Sequence, residues 1–202
     1  KSQAVIINSG IANACTGVEG MMYCQETAKE AAKVLGIEEA GVLVGSTGVI
    51  GMQLPIDRIK AGISELAKVK KAGIESGTEA AKAIMTTDTK RKEVAVQFRI
   101  GDKTVTIGGM AKGSGMIHPN MCTMLAFITT DAVISRKALQ KAMSNDVEET
   151  YNMISVDGDT STNDTALLLA NGMAGNKKIK KEHRNLRRFR RLFIMSMRHW
   201  QR

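Results

Sequence analysis

The chain has 202 residues and a formal net charge of +9; 43% of its residues are hydrophobic and 24% are charged, which is typical of a globular domain with a sizeable core. No apolar run approaches the ~18 residues of a membrane-spanning helix, and Lys1–Asn8 lacks the charged, apolar and cleavage regions of a signal peptide. We therefore expect a cytoplasmic protein without a membrane anchor, in a chain that begins within a strand of a longer protein.

The positive charge is concentrated at one end. Residues 177–202 contain 11 Lys or Arg and one Glu, so the rest of the chain is almost neutral. Residues 1–176 are predicted to form the globular domain, with no charge reason to bind nucleic acid or an anionic membrane. Two interpretations of 177–202 are open: a basic amphipathic helix that binds RNA or membrane, and out-of-frame translation of the end of the gene.

The cysteines and acidic residues do not predict a metal site. Cys15, Cys24 and Cys122 form no CxxC pair and no cluster with histidines. Their odd number, without a secretory signal, predicts reduced thiols. The Asp-rich stretch Val156–Thr165 lacks the spacing and the closing Glu of a calcium-binding EF-hand loop.

Apolar segments in the first part of the chain predict two strands and three helices. The predicted elements are a strand over Gln3–Asn8, a loop over Asn8–Gly17, a helix over Glu19–Leu35 that ends at Gly36, a strand over Val42–Val44, a helix opened by Leu54-Pro55, and a helix over Gly77–Met85. The small polar residues of the first loop fit turn chemistry. The alternative places the Asn and Thr side chains of that loop beside a polar pocket.

A glycine-rich stretch, Gly45–Gly51, follows the second strand. Its glycines let the backbone approach another group closely. Ser46 and Thr47 supply hydroxyl donors, and no side chain shields the N–H of Gly48, so the stretch has the groups that an oxyanion hole needs. No Gly-Lys-Ser/Thr follows, which excludes a Walker loop. A plain loop is the alternative.

The second part of the chain predicts a hairpin, two further strands and a helix. These elements are strands over Val94–Ile100 and Val105–Ile107 joined by a turn at Gly101-Asp-Lys, a strand over Thr123–Thr129, a helix from Ser135 to about Ile154, and a strand over Ala166–Ala170. Strands and helices are intermixed along the whole chain. This order favours an α/β or α+β layered domain.

Two further stretches carry candidate functional side chains. Thr86–Thr89 contains three threonines and an aspartate, for which turn hydrogen bonds and substrate contact are both open interpretations. In Met110–Leu125 a glycine-rich loop leads into an apolar strand whose first residue is Thr123. Either the loop is an ordinary turn before a buried strand, or the junction presents Thr123 as a nucleophile. Lys112 is surrounded by small and apolar residues, where it can meet a carboxylate; a solvated surface position is the alternative.

Together and in this order, these segments resemble the bifunctional ornithine acetyltransferase / glutamate N-acetyltransferase family of arginine biosynthesis. The matching segments are Asn8–Gly17, Gly45–Gly51, Met85–Thr89, Gly109–Leu125 and Asp157–Thr165. The resemblance implies an α/β fold of the ornithine acetyltransferase and DmpA-like type, similar to N-terminal-nucleophile enzymes. It implies no cofactor, although some members accept acetyl-CoA as the acetyl donor.

The resemblance also implies a mechanism. The chain would cut itself between Cys122 and Thr123, and Thr123 would then move an acetyl group from N-acetylornithine to glutamate as an acetyl ester. Thr47 and Gly48 would form the oxyanion hole, and Lys112 and a threonine of Thr86–Thr89 would contact the substrate; Thr86 is the favoured threonine and its neighbour Thr87 the alternative. The two cleaved chains would stay associated and form a larger homo-oligomer.

This chain departs from the family pattern in two respects. Cys122 stands where the family usually has Ala, and both side chains are small enough for cleavage. Family members also extend further at both ends, so 1–176 is predicted to be a partial acetyltransferase domain. Two other functions remain open: a threonine-nucleophile aminopeptidase or amidase that releases the acyl group to water, and a non-enzymatic RNA- or membrane-binding protein that acts through 177–202.

Overall fold

The computed structural model describes residues 1–113, 124–148, 150–153 and 163–180. The chain divides into two compact units, one formed by Lys1–Thr86 with Thr162–Thr165 and the other by Thr87–Ser161 with Ala166–Arg202. Each unit contains both helix and sheet. The α/β class expected from the sequence is therefore confirmed.

The first unit is built on two parallel strands and three helices. Strands β1 and β2 pair in parallel from Ala4↔Val42 to Ile11↔Val49, and α1 forms the crossover between them, as parallel neighbours require. The elements are β1 (Ala4–Ile11), α1 (Gly17–Leu35), β2 (Val42–Val49), α2 (Ile56–Val69) and α3 (Ile74–Ala83). Helix α1 ends where the sequence predicted, because Gly36 adopts the left-handed conformation at φ 68°.

The core of the first unit lies between one face of this sheet and the first two helices. Ala4, Ile6 and Val42 pack against Ala31 of α1 and Ile63 of α2. Side chains alternate along a strand, and the register pairs even numbers with even numbers. The even-numbered residues of β1 and β2 therefore face the helices, and the odd-numbered residues face the opposite side.

The second unit is a four-stranded sheet packed against one helix. Its strand order is β3-β4-β5-β6, with β3 antiparallel to β4 and β4 antiparallel to β5. The elements are β3 (Lys92–Ile100), β4 (Lys103–Lys112), β5 (Leu125–Thr130), α4 (Arg136–Glu148) and β6 (Thr165–Ala170). Ile107 and Ile128 from the sheet and Ala138 and Ala142 from α4 belong to its buried core.

Strands β1, β2 and β4 extend past their predicted ends, in each case through a segment that contains glycine. Ser9–Ile11, predicted as the start of the loop over Asn8–Gly17, continues β1 and pairs with Thr47–Val49. Gly45–Val49, predicted as loop, is the second half of β2, because each of its residues pairs with β1. Gly108–Lys112 likewise continues β4 between β3 and β5. Glycine has a low strand propensity. These segments therefore form strand because they pair with a neighbouring strand of the sheet, and not because of their local preference.

The helices confirm some predicted apolar positions and correct others. The helical spacing of apolar residues predicts that Met22 and Ala31 of α1 and Ile63 and Leu66 of α2 face the core; Ala31 and Ile63 are buried, but Met22 and Leu66 are 52% and 66% exposed. Helix α4 ends at Glu148 rather than near Ile154, and Tyr151–Met153 forms a short 3₁₀ turn. Ser135, where the helix was predicted to begin, caps α4, since the Ala138 N–H donates to Ser135 Oγ at 3.3 Å. No helix in the described ranges is both long and apolar enough to cross a membrane.

The second unit continues past the predicted domain boundary at 176/177. Ile179 is fully buried and belongs to its core. The Ile179 N–H donates to the Val133 carbonyl at 2.9 Å, and the Ser135 N–H donates to the Ile179 carbonyl at 3.0 Å. The first residues of the basic segment are thus part of the fold, while 181–202 lie outside the described residues.

Candidate active site

Thr47 carries a buried hydroxyl in the middle of β2. Its relative exposure is 0%, and within the described part of the chain its Oγ1 has no hydrogen-bond partner. Leaving a buried hydroxyl unpaired costs about 1–3 kcal/mol. As an odd-numbered residue, Thr47 lies on the sheet face that α1 and α2 do not cover. The structure therefore holds a hydrogen-bond donor in place for which the described residues provide no acceptor.

Position 48 strongly favours glycine in this fold. Its φ is 131°, which side-chain-bearing residues rarely adopt, and a Cβ would lie 2.1 Å from the Gly10 carbonyl carbon and 2.6 Å from the Ile11 nitrogen. The two strands thus touch backbone to backbone at the register pair Gly10↔Gly48. Since Thr47 and Gly48 are consecutive on one strand, the geometry keeps the two predicted oxyanion donors adjacent.

The helix-facing polar side chains beside Thr47 are paired with one another. Ser46 Oγ donates to Asn8 Oδ1 at 2.5 Å, and Asn8 Nδ2 donates to the Ile11 carbonyl at 2.8 Å. Asn163 Nδ2 donates to the Ser46 carbonyl at 3.2 Å. These bonds fix the backbone on which Thr47 sits.

The polar loop before α1 is used for local structure. Thr16 Oγ1 donates to Asn13 Oδ1 at 2.5 Å, and Asn13 Nδ2 donates to the Gly20 carbonyl at 2.9 Å. Both side chains hold the first turn of α1. These hydrogen bonds favour turn chemistry over a polar pocket for the Asn and Thr groups of this loop.

Lys112 ends β4 and is buried, with a relative exposure of 3%. A solvated surface position is therefore excluded. Burial lowers the pKa of its ammonium group; the Asp88 carboxylate partly raises that pKa, and the Lys92 ammonium lowers it further. A lysine in such surroundings is well suited to meet the carboxylate of a ligand, because the attraction between the charges is stronger where water is excluded.

Asp88, the aspartate of the stretch Thr86–Thr89, connects the start of β3 to the end of β4. Its side chain is 1% exposed, and its Oδ1 accepts from Lys92 Nζ at 2.7 Å and from the Gly113 N–H at 2.9 Å. Lys92 Nζ also donates to the Gly113 carbonyl at 3.1 Å. Asp88 thereby fixes the backbone next to Lys112, at the last described residue before 114–123.

The remaining predicted site residues are placed as follows. Thr86 is exposed in the bend after α3 and belongs to the first unit, as do Thr47 and Gly48, whereas Lys112 belongs to the second. Cys122 and Thr123 lie outside the described residues, as does most of the Asp-rich stretch. Within the described ranges, no group of three or more His, Cys, Asp or Glu could hold a metal ion.

Relatives of the chain are known. The model of the ArgJ family matches residues 1–199. The "Arginine biosynthesis bifunctional protein ArgJ" of Caldanaerobacter subterraneus subsp. tengcongensis is 57% identical over 180 residues, which cover 89% of this chain and 44% of that protein. The protein of the same name from Symbiobacterium thermophilum is 56% identical over 177 residues, covering 88% and 44%. The chain spans about half the length of the curated relatives that it matches.

A solved structure agrees in fold. The crystal structure of the arginine biosynthesis bifunctional protein argJ from Bacillus halodurans is 49% identical, with a TM-score of 0.54 over 57% of this chain and 60% of that one. This likeness confirms the fold type that the resemblance implied. The match through residue 199 also includes most of the basic segment; the out-of-frame hypothesis stays a prediction, which sequencing of the gene past codon 176 would test. The chain belongs to the ArgJ family.

Proposed function

We propose that this chain is part of an autoprocessing acetyltransferase of arginine biosynthesis, which moves an acetyl group from N-acetylornithine to glutamate through acetyl-Thr123. Membership of the ArgJ family and the arginine biosynthesis names of its relatives support the proposal. The observation that carries it is the buried hydroxyl of Thr47, which lies next to the Gly48 backbone without an acceptor in the described part of the chain. An oxyanion hole requires such a donor.

Self-cleavage comes first in this mechanism. Thr123 Oγ attacks the Cys122 carbonyl carbon, the peptide C–N bond breaks, and the resulting ester is hydrolysed. The product has a free α-amino group on Thr123. Such an amine has a pKa of about 7.7–8.0, so near neutral pH it can accept the proton of its own hydroxyl.

Acetyl transfer then proceeds in two halves. Thr123 Oγ attacks the acetyl carbonyl of N-acetylornithine, the amide C–N bond breaks, and ornithine leaves with the proton that the α-amine delivers. The amine of glutamate next attacks acetyl-Thr123 and releases the hydroxyl. Thr47 Oγ1 and the Gly48 N–H stabilise the tetrahedral oxyanion in both halves; the loss of one such donor typically raises the barrier by about 2.7–4 kcal/mol.

The other predicted site residues bind the substrate. The buried ammonium of Lys112 pairs with a substrate carboxylate, which replaces the solvation that the side chain lost on burial. Thr86 is exposed and can supply a second polar contact. The reaction needs no cofactor, and acetyl-CoA enters only as an alternative acetyl donor. The cleaved chains stay together, form a larger oligomer and act in the cytoplasm.

The test is to incubate the purified chain with N-acetylornithine and glutamate and to measure N-acetylglutamate by mass spectrometry. The proposal predicts N-acetylglutamate with the wild type and none with Thr123→Ala. Release of free acetate without N-acetylglutamate would favour the amidase alternative instead. A wild-type chain that forms neither product would contradict an enzymatic role for this chain.

A further inference from the structure

Ser9 lies directly beside Thr47. The two residues are register partners in the parallel sheet, and both are odd-numbered, so their side chains share the face that α1 and α2 leave uncovered. Neighbouring strands are about 4.8 Å apart. Two hydroxyl side chains on one face at this spacing can both reach a single small acceptor group.

The Ser9 hydroxyl resembles that of Thr47 in a second respect. Its Oγ is buried and, among the residues that the structure describes, has no hydrogen-bond partner. The polar pair one row earlier, Asn8 and Ser46, faces the helices and is internally hydrogen-bonded. Two hydroxyls that have no partner among the described residues thus lie together on one face of the sheet, although polar side chains of the same strands satisfy each other on the opposite face.

Folding alone gives no reason for two unpaired hydroxyls at these positions. A buried hydroxyl without a partner costs free energy, and an alanine at position 9 would avoid that cost. A ligand oxygen that accepts from both hydroxyls would compensate for it. The acceptor must be small and carry negative charge or a carbonyl dipole, because two O–H donors converge on it.

We propose that Ser9 is a further catalytic hydrogen-bond donor, which binds the acyl oxygen of the substrate together with Thr47. The inference rests on the proposed function, because the acyl oxygen is that of the acetyl group in transfer. The hydroxyl donates to the carbonyl oxygen in the substrate complex and more strongly to the oxyanion in the transition state. No bond to Ser9 forms or breaks.

The experiment compares Ser9→Ala with Thr27→Ala, a matched control in α1 of the same unit. The Thr27 hydroxyl is also buried, but it is satisfied, because it donates to the Tyr23 carbonyl at 2.7 Å. We expect Ser9→Ala to unfold at the same or a higher urea concentration than the wild type, while its kcat/KM for acetyl transfer falls roughly 10- to 100-fold. Thr27→Ala should show the reverse, a lower unfolding midpoint with unchanged kcat/KM in the folded protein.

Two outcomes would overturn the proposal: an unchanged kcat/KM in Ser9→Ala, and a loss of activity that only accompanies a loss of folded protein. If the wild type transfers no acetyl group, the proposed function fails separately. Calorimetric titration with N-acetylornithine then tests Ser9 directly. Weaker binding by Ser9→Ala than by the wild type supports the assignment, while equal binding, or none by the wild type, contradicts it.

Discussion

At the scale of single residues, the candidate site consists of groups that the fold holds at an energetic cost. Thr47 Oγ1 and Ser9 Oγ are buried without partners in the described residues. Lys112 is a buried cation, and Gly48 has a φ of 131° against the opposite strand, where any side chain would be strained. Such features concentrate at functional sites because activity, rather than stability, explains them.

Substitution of Gly48 should damage stability and activity together. In Gly48→Ala the new methyl group would meet the Gly10 backbone at 2.1 Å, at a φ that alanine rarely adopts. Strain and overpacking together predict a loss of about 2–4 kcal/mol in the free energy of unfolding. Gly62→Ala in α2 is the control, because its Cβ would meet nothing within 4 Å and alanine favours a helix by about 0.8–1.0 kcal/mol. Equal urea midpoints for the two variants would contradict this account of Gly48.

Substitution of Lys112 should lower the activity without lowering the stability. Lys112→Met removes a buried charge, so we expect unchanged or higher stability near neutral pH and a large loss of acetyl transfer. The pKa of Lys112 is lowered from its ordinary 10.5, so between the two values the unfolded chain binds more protons than the folded one. Wild-type stability therefore rises with pH in that window. Urea unfolding of both proteins should show the advantage of the variant shrinking as the pH approaches 10.5; a constant difference would argue against a depressed pKa.

At the scale of secondary-structure elements, the sequence predicted what local chemistry decides. Gly36 ends α1 and Ser135 caps α4, because both act on their own neighbours. The strand character of Gly45–Val49 and of Gly108–Lys112 could not be predicted, since it depends on hydrogen bonds to strands elsewhere in the chain. The prediction that Met22 faces the core was wrong for the same reason. The periodicity identifies an apolar stripe on the helix, but it does not show which part of the chain covers that stripe.

The residues of the candidate site also divide into those that local sequence predicts and those that only the packing of distant segments reveals. Thr47, Gly48 and Lys112 could be proposed from the sequence because recognisable motifs contain them. The roles of Ser9 and Asp88 could not, although both residues lie within other segments that match the family, Asn8–Gly17 and Met85–Thr89. What distinguishes Ser9 is a buried oxygen beside Thr47 that has no partner within the described ranges, and what distinguishes Asp88 is a hydrogen bond to a backbone 25 residues away. Both properties arise only when distant segments pack.

The hydrogen bonds of Asp88 should be needed to hold the end of β4. Asp88→Ala removes the acceptor for Lys92 and for the Gly113 N–H, and we expect a loss of about 2–4 kcal/mol in unfolding free energy. Hydrogen exchange at the Gly113 amide should accelerate. The control is Asp102→Asn, whose carboxylate is 79% exposed beside Lys103 and should leave the urea midpoint unchanged. Unchanged exchange at Gly113 in Asp88→Ala would show that this hydrogen bond does not hold the strand.

At the scale of the whole molecule, each unit has a core of its own, and the second core includes residues beyond 176. A chain that ends at Asn176 should therefore be less stable than one that ends at Lys180, because it lacks Ile179. Removal of a buried isoleucine predicts a loss of about 2–5 kcal/mol. Urea unfolding of the two truncated chains measures the difference. Identical midpoints would mean that the second unit does not depend on the start of the basic segment.

The central claim is that self-cleavage makes Thr123 the N-terminus of the second fragment and that Thr123 then carries the acetyl group. Intact-mass spectrometry of the purified chain, before and after addition of N-acetylornithine without glutamate, tests both parts in one measurement. The account predicts two fragments, Lys1–Cys122 and Thr123–Arg202, with one acetyl group gained by the second fragment alone and lost again when glutamate is added. A chain that stays whole, or an acetyl group on the first fragment, would contradict it.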